Sequence, residues 1–225
     1  MNQIPTLTIG DKKIEYTVIK GNSSRYTYLR FMKDLSLQLI LPKRLMASHQ
    51  KIIEQKSKWI EKKYLHLLNR KLIINDNQIL YNGEYYELEV SYSDKASVNL
   101  FKNKILISIT NILDSKTLLY NWMTEETEKI LNKNIPQLTQ KLGVKASNVR
   151  VKKTVRWGYC KRKGELTFNW QLAALPRDLA EYIIIHEITH LSEFNHSKKF
   201  KAKLASLCPD FKDKEIRLNN YYLDA

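Results

Sequence analysis

The chain predicts an α+β protein: an N-terminal antiparallel β-rich region with an inserted helix, then a helical C-terminal region with a small sheet. Three observations predict it. Apolar residues alternate with period two in several runs before residue 110, the mark of half-buried strands. The spacing switches to three and four residues at about 47–70 and again after Asp114, the mark of helices. Near residue 180 an apolar helix pattern ends in a cluster holding three of the chain's five histidines. The natural division is a β-rich region over 1–112 and a chemistry-bearing region over 113–225, which could also form one continuous domain.

Lys13 to Ile19 and Leu35 to Leu41 alternate as strands, with Pro42 closing the second run. Arg25 to Phe31 is a third strand between them. From Ala47 to about Arg70, Ile52, Ile53, Trp59, Ile60 and Leu67 recur at helical spacing, with Ser48 available as a cap. His49 and His66 stand at either end of this helix, as surface or packing side chains. Four more strands follow: Gln78–Tyr81, Tyr85–Tyr92, Val98–Phe101 and Ile105–Ile109. Asn82-Gly83 between the first two is a hairpin signal. Asp114 opens a long helix that Pro136 breaks or kinks and Leu142-Gly143 ends. Val149–Val151 and Gly164–Trp170 read as strands around a turn at Gly158-Tyr159-Cys160-Lys161. Pro176-Arg177-Asp178 starts the next helix, with Asp178 near its positive end. Ser197 caps a short helix containing Phe200, Leu204 and Leu207, and Pro209 begins a last one reaching Tyr221 and Tyr222.

Composition bounds the function. The 225 residues are 43% hydrophobic and 10% aromatic, ordinary for a folded protein with a full core. No apolar run approaches the roughly 18 residues of a membrane span, and the first residues show no export signal. Cys160 and Cys208 are too few for a disulfide framework and fit a reducing cytoplasm. The formal charge of +15 is high. Between residues 145 and 163 lie Lys145, Arg150, Lys152, Lys153, Arg156, Lys161, Arg162 and Lys163 with no acidic residue, a segment that could attract nucleic acid or nucleotides.

The chemistry concentrates in His186-Glu187-Ile188-Thr189-His190 and in His196. Histidines four apart stand on one helix face, so both rings can reach a single metal ion. Zinc takes neutral imidazole readily, and a catalytic site wants three protein ligands with a fourth position for water. Glu187 lies where its carboxylate can accept that water's proton. His196, just past the helix, is the natural third ligand. Three imidazoles favour zinc over manganese, cobalt or nickel. Because the helix is apolar on almost every side, its histidines need partners, and a cation supplies one.

The spacing also fits the metzincins, but Glu193 stands in place of their central glycine and all four methionines precede the motif. A thermolysin-like arrangement would use a downstream glutamate, with Glu215 the main candidate. The larger pattern is Arg156-Trp157-Gly158-Tyr159-Cys160, Gly164 to Trp170, Leu175-Pro176, Tyr182 to Leu191, Asn195-His196-Ser197-Lys198-Lys199-Phe200 and Cys208-Pro209-Asp210. With Trp59 to Lys63 and the Tyr81-Asn82-Gly83 turn, it resembles the YgjP-like metallopeptidases, a family related to other zincins, over nearly the whole chain. The family usually carries Trp-Gly-Ser-Cys-Ser; Tyr159 replaces the first serine here. The resemblance implies a zincin-like helical metallopeptidase core, metal ligands at His186, His190 and His196, and a catalytic Glu187.

The expected activity is therefore hydrolysis of peptide bonds by zinc-activated water, with one Zn2+ per chain and Glu187 as general base. Arg156, Tyr159, Phe168, Asn169 and Tyr221 are the candidate substrate contacts, and Arg156, Tyr159, Tyr221 or Tyr222 a second electrophile. The strand through Phe168 could bind an extended peptide along its edge. The basic segment motivates other classes: a metal-dependent hydrolase of nucleotide phosphoanhydrides, a nucleic-acid-associated protease, or a non-catalytic zinc module that binds nucleic acid.

Overall fold

The computed structural model describes residues 5–21, 26–32, 35–68, 71–75, 77–110 and 115–223, apart from the side chains of His66, Leu72 and Asn75. The predicted role of Asp114, the Arg25 end of the third strand and the His66 side chain fall outside the described residues. The chain divides into two compact units, 1–70 and 71–225. The division expected from the strand and helix pattern lay after residue 112, with one continuous domain as the alternative. The strands between 71 and 109 group with the following helices because they share one core with them, through Ile79, Ile105, Ile107, Leu119, Met123 and Trp170.

The first unit holds β1 (Thr6–Ile9), β2 (Lys12–Lys20), β3 (Tyr28–Phe31), β4 (Leu37–Leu41), a 3-10 helix (Lys43–Ser48) and α1 (His49–Leu68). Leu37, Leu39 and Leu41 of β4 are buried with period two, as their alternation requires. They pack with Ile53, Ile60 and Tyr64 of α1. His49 is a packing side chain: its Nδ1 lies 3.0 Å from the Tyr16 hydroxyl.

The second unit begins with β5 (Lys71–Leu72), β6 (Ile74–Asn75), β7 (Gln78–Tyr81), β8 (Glu84–Tyr92), β9 (Ser97–Phe101), β10 (Lys104–Ile109) and α2 (Ser115–Leu142). Then come β11 (Asn148–Lys152), β12 (Gly158–Cys160), β13 (Glu165–Asn169) and a second 3-10 helix (Trp170–Ala174). α3 (Arg177–Thr189), α4 (Lys198–Leu207), α5 (Phe211–Leu218) and β14 (Tyr221–Tyr222) complete it. The α+β class stands, built from small sheets that are mixed rather than antiparallel.

One device explains the mixing in all three larger sheets. A hairpin folds back so that its second strand pairs in parallel with the strand preceding the hairpin: β4 on β2, β10 on β8, β13 on β11. Parallel neighbours need a long crossover. Here the hairpin's own first strand supplies it. Alternation of apolar residues is the same in either direction, so the sequence pattern is silent on this choice.

Several local expectations change. α2 runs unbroken through Pro136. Its end is as predicted: Gly143 adopts φ +63°, with Gly143 N–H on Gln140 O and Val144 N–H on Thr139 O, a Schellman motif. The turn expected at 158–161 is strand β12, paired antiparallel with β13. The last helix stops at Leu218, and Tyr221-Tyr222 pair in parallel with β5.

Three contacts hold the α3 region in place. The β7–β8 turn has Asn82 at φ 50° and Gly83 at φ 86°, the signature of its Asn-Gly pair. Its two N–H groups donate to Ala173 O and Ala174 O, both at 2.9 Å. A Cβ at Gly83 would stand 2.8 Å from Pro176 Cγ, so this docking requires glycine on two counts. Thr127, wholly buried in α2, donates to Trp170 O at 2.9 Å and accepts Ala173 N–H at 3.2 Å. Asp178 in the first turn of α3 takes a bidentate pair from Arg217 of α5, at 2.6 and 3.2 Å.

Candidate metal centre

Helix α3 presents His186 and Glu187 within its last turn, and His190 caps its end with φ −65° and ψ −18°. The chain then turns through Ser192 and Glu193, whose N–H groups return to Thr189 O. Ser197 caps α4 by accepting the Phe200 N–H at 3.3 Å. This cap fixes the direction of the new helix and brings His196, one residue earlier, back over α3.

The three imidazoles converge. One nitrogen from each of His186, His190 and His196 lies within 4.8 Å of the others. His186 Nε2 and His196 Nε2 are 3.0 Å apart. Two ligands of a tetrahedral zinc with bonds of about 2.0–2.1 Å stand roughly 3.3 Å from each other, so this spacing suits a shared ion. His190 Nδ1–H donates to Glu193 O at 3.0 Å, which leaves the Nε2 lone pair free. His186 Nδ1 is buried with no partner among the described residues, and its other nitrogen faces a second imidazole. Two Nε2 atoms this close cannot both carry a proton, and a cation shared by their lone pairs fits the contact. The donor set therefore fits a divalent ion.

Phe200 forms the floor. Its ring centroid lies 5.0, 4.5 and 4.8 Å from those of His186, His190 and His196, and the side chain is buried. Burial pushes His186 down to about 4, helped by the positive charge that His190 and His196 would carry. His190 is lowered as well, first by burial. Both rings are thus held neutral, the form that binds metal.

Glu187, the residue after His186, lies against Gly158 and Cys160 of β12 and is 8% exposed. Burial pushes its carboxyl up to about 7, while the Cys160 backbone N–H and the Arg156 charge pull it partly back. A carboxyl near neutrality can both take and return a proton at physiological pH. A Cβ at Gly158 would stand 2.8 Å from Glu187 Cγ, so the absence of a side chain there makes room for the glutamate.

The expected substrate contacts are distributed unevenly. Arg156 is exposed and acts on Glu187 through its charge. Tyr159 is half-buried on β12. Phe168 is 0% exposed in the core, and Asn169, 1% exposed, caps the second 3-10 helix through Gln171 N–H and donates to Thr154 O. Neither offers a surface to a substrate, because both side chains are buried, one on each face of β13. That strand is the centre of its sheet, so an added peptide cannot pair with it; the outer strand beside Glu187 is β12. Tyr221 lies on β14 under the Lys71 ammonium, 5.6 Å from the ring centroid. Glu215, the alternative ligand, is not in the histidine cluster; it lines a cavity beside it.

Sequence reasoning assigned no site role to Gly158, the Cys160 N–H, the Glu193 carbonyl or Phe200. Only Phe200 left a signal, three residues after its capping serine, on a helix read as packing. Backbone groups leave no trace in side-chain patterns.

No curated protein matches the chain. A model of the YgjP-like metallopeptidase domain matches residues 25–221, which takes in β3, β4 and α1 of the first unit and the whole histidine cluster, and ends at Tyr221. The chain therefore belongs to the YgjP-like metallopeptidase domain family.

Proposed function

We propose that this metallopeptidase uses zinc, held by His186, His190 and His196, and that Glu187 is its general base. The convergence of three imidazoles beside a buried, near-neutral carboxyl carries the reading. The bound ion supplies Lewis-acid chemistry, lowering the pKa of a water toward about 7. Glu187 accepts the proton of the attacking water and returns it to the leaving amine. The Cys160 N–H holds the carboxylate in position, and Arg156 stabilises its charged form. An extended substrate would lie along β12, where the Gly158 backbone groups and the Cys160 carbonyl face away from β13, with Arg156 and Tyr159 as contacts. Unpaired cysteines suit action in the cytoplasm.

The test is a panel of casein, short peptides and nucleoside triphosphates, offered to metal-quantified protein and to Glu187→Gln. The variant should keep its metal and lose peptide hydrolysis by about 10²–10⁴-fold or more. Metal loss in the variant would make Glu187 structural. Hydrolysis of nucleotides with every peptide left intact would overturn the peptidase reading.

A further inference from the structure

A cavity of about 550 Å³ opens beside the histidine cluster, between α3, α4 and α5. His186 and His196 form one wall. Tyr182, one turn before His186, joins Leu204 of α4 and Phe211 of α5 in an apolar floor. Lys201 and Lys212 stand exposed at its lining, and Glu215 is the single carboxylate there. Among the described residues neither lysine has a hydrogen-bond or ion-pair partner, whereas the neighbouring Lys214 and Arg217 are paired with Asp210 and with Asp178 and Asp213. The lining therefore carries two unpaired ammonium groups against one carboxylate, above an apolar base.

We propose that this cavity is a specificity pocket for a substrate group that ends in a carboxylate on a short apolar stem, next to the scissile bond. The inference rests on the peptidase reading and adds the substrate class. Three features support it. The volume holds a single side chain with room for water, within the range of small binding sites. One of its walls is made of two proposed metal ligands, so whatever fills it stands within a side chain's length of the reacting bond. Its charge selects: an acidic end meets Lys201 and Lys212, while a basic end meets them as like charges. Tyr182, Leu204 and Phe211 would cover the methylenes that join the carboxylate to the backbone. A free C-terminal carboxylate could present the same chemistry as an acidic side chain.

The test uses the full-length, metal-loaded protein and a peptide library whose cleavage products are read by mass spectrometry, locating the scissile bond. A matched series then places Glu, Gln, Leu or Lys at each flanking position, with free and with amidated C-termini. At one flanking position Glu should exceed Gln and Lys in kcat/KM by about tenfold, the effect of one or two close charges. The double variant Lys201→Glu, Lys212→Glu should reverse the order, favouring Lys by a similar factor, with metal content unchanged. Glu215→Gln should sharpen the acidic preference, and high salt should blunt it. Dependence on the free C-terminus alone would identify the terminus as the carboxylate that is read. Cleavage with no charge preference, or a preference that charge reversal leaves intact, overturns this inference and spares the peptidase reading. Failure to cleave any member removes both.

Discussion

At Gly158 an added methyl would stand 2.8 Å from Glu187 Cγ and 3.2 Å from Phe168 Cδ1. Phe168 is fixed in the core, so the glutamate has to move. Gly158→Ala should lower kcat by about 10–100-fold, with metal content and KM little changed, and destabilise the fold by about 1–3 kcal/mol of overpacking. Unchanged kcat would show that Glu187 needs no such room. A second prediction concerns protons in the chelator-treated protein. His186 titrates at about 4 when folded and near 6.5 when unfolded. Between those values the unfolded chain binds more protons, so this ring's contribution to stability is lost as pH falls from 6.5 to 4. Glu187 acts oppositely: its carboxyl is raised from 4.5 to about 7, so its contribution is full below 4.5 and fades as pH rises to 7. The two slopes offset each other in the wild type. Urea unfolding of metal-free Glu187→Gln should therefore lose stability on acidification more steeply than wild type. Parallel curves for the two proteins would rule out the buried, protonated carboxyl.

Between elements, one of the three contacts that set the α3 region is a single hydroxyl. Thr127 Oγ1 serves both Trp170 O and Ala173 N–H inside the protein, where water cannot replace it. Thr127→Val keeps the shape and leaves two buried backbone groups without this partner, which should cost about 1–3 kcal/mol in denaturant unfolding. Thr127→Ser should recover most of it. No pattern in the sequence marks Thr127, because a buried threonine on an amphipathic helix looks like one more small side chain. Other parts were legible for definite reasons. Leu37, Leu39 and Leu41 alternate because β4 buries one face, and Gly143 ends α2 because only its left-handed φ closes the Schellman bonds. Gly158 to Cys160 read as a turn because glycine and a polar cluster are turn signals, yet the glycine is there for Glu187. Tyr221-Tyr222 read as helix since their spacing continues α5; pairing with Lys71-Leu72, about 150 residues earlier, is invisible to any local pattern. The histidines were the most legible feature, because four-residue spacing on a helix is itself a statement of geometry.

For the molecule as a whole, charge and metal pull on different parts. The eight cations between Lys145 and Lys163 are exposed, a solvated face on and around β11 and the β12–β13 hairpin, where Arg156 also tunes Glu187. The ion, by contrast, would be held entirely within the unit 71–225, where all three histidines lie. His196 follows α3 by a loop and precedes α4, so an ion shared with His186 and His190 ties α4 to α3 across that loop. The unfolded chain has no such site, so binding adds directly to folding stability. At a free zinc concentration of a hundred times Kd the gain is about 2.7 kcal/mol. For a protein of this size that raises Tm by roughly 5–10 °C. Differential scanning calorimetry should show this rise on adding zinc and its reversal by a chelator. His196→Ala should abolish most of the shift, since it removes the ligand that spans the loop, while its metal-free Tm stays close to that of metal-free wild type because the His196 side chain is exposed. A zinc response of full size in His196→Ala would place the ion elsewhere.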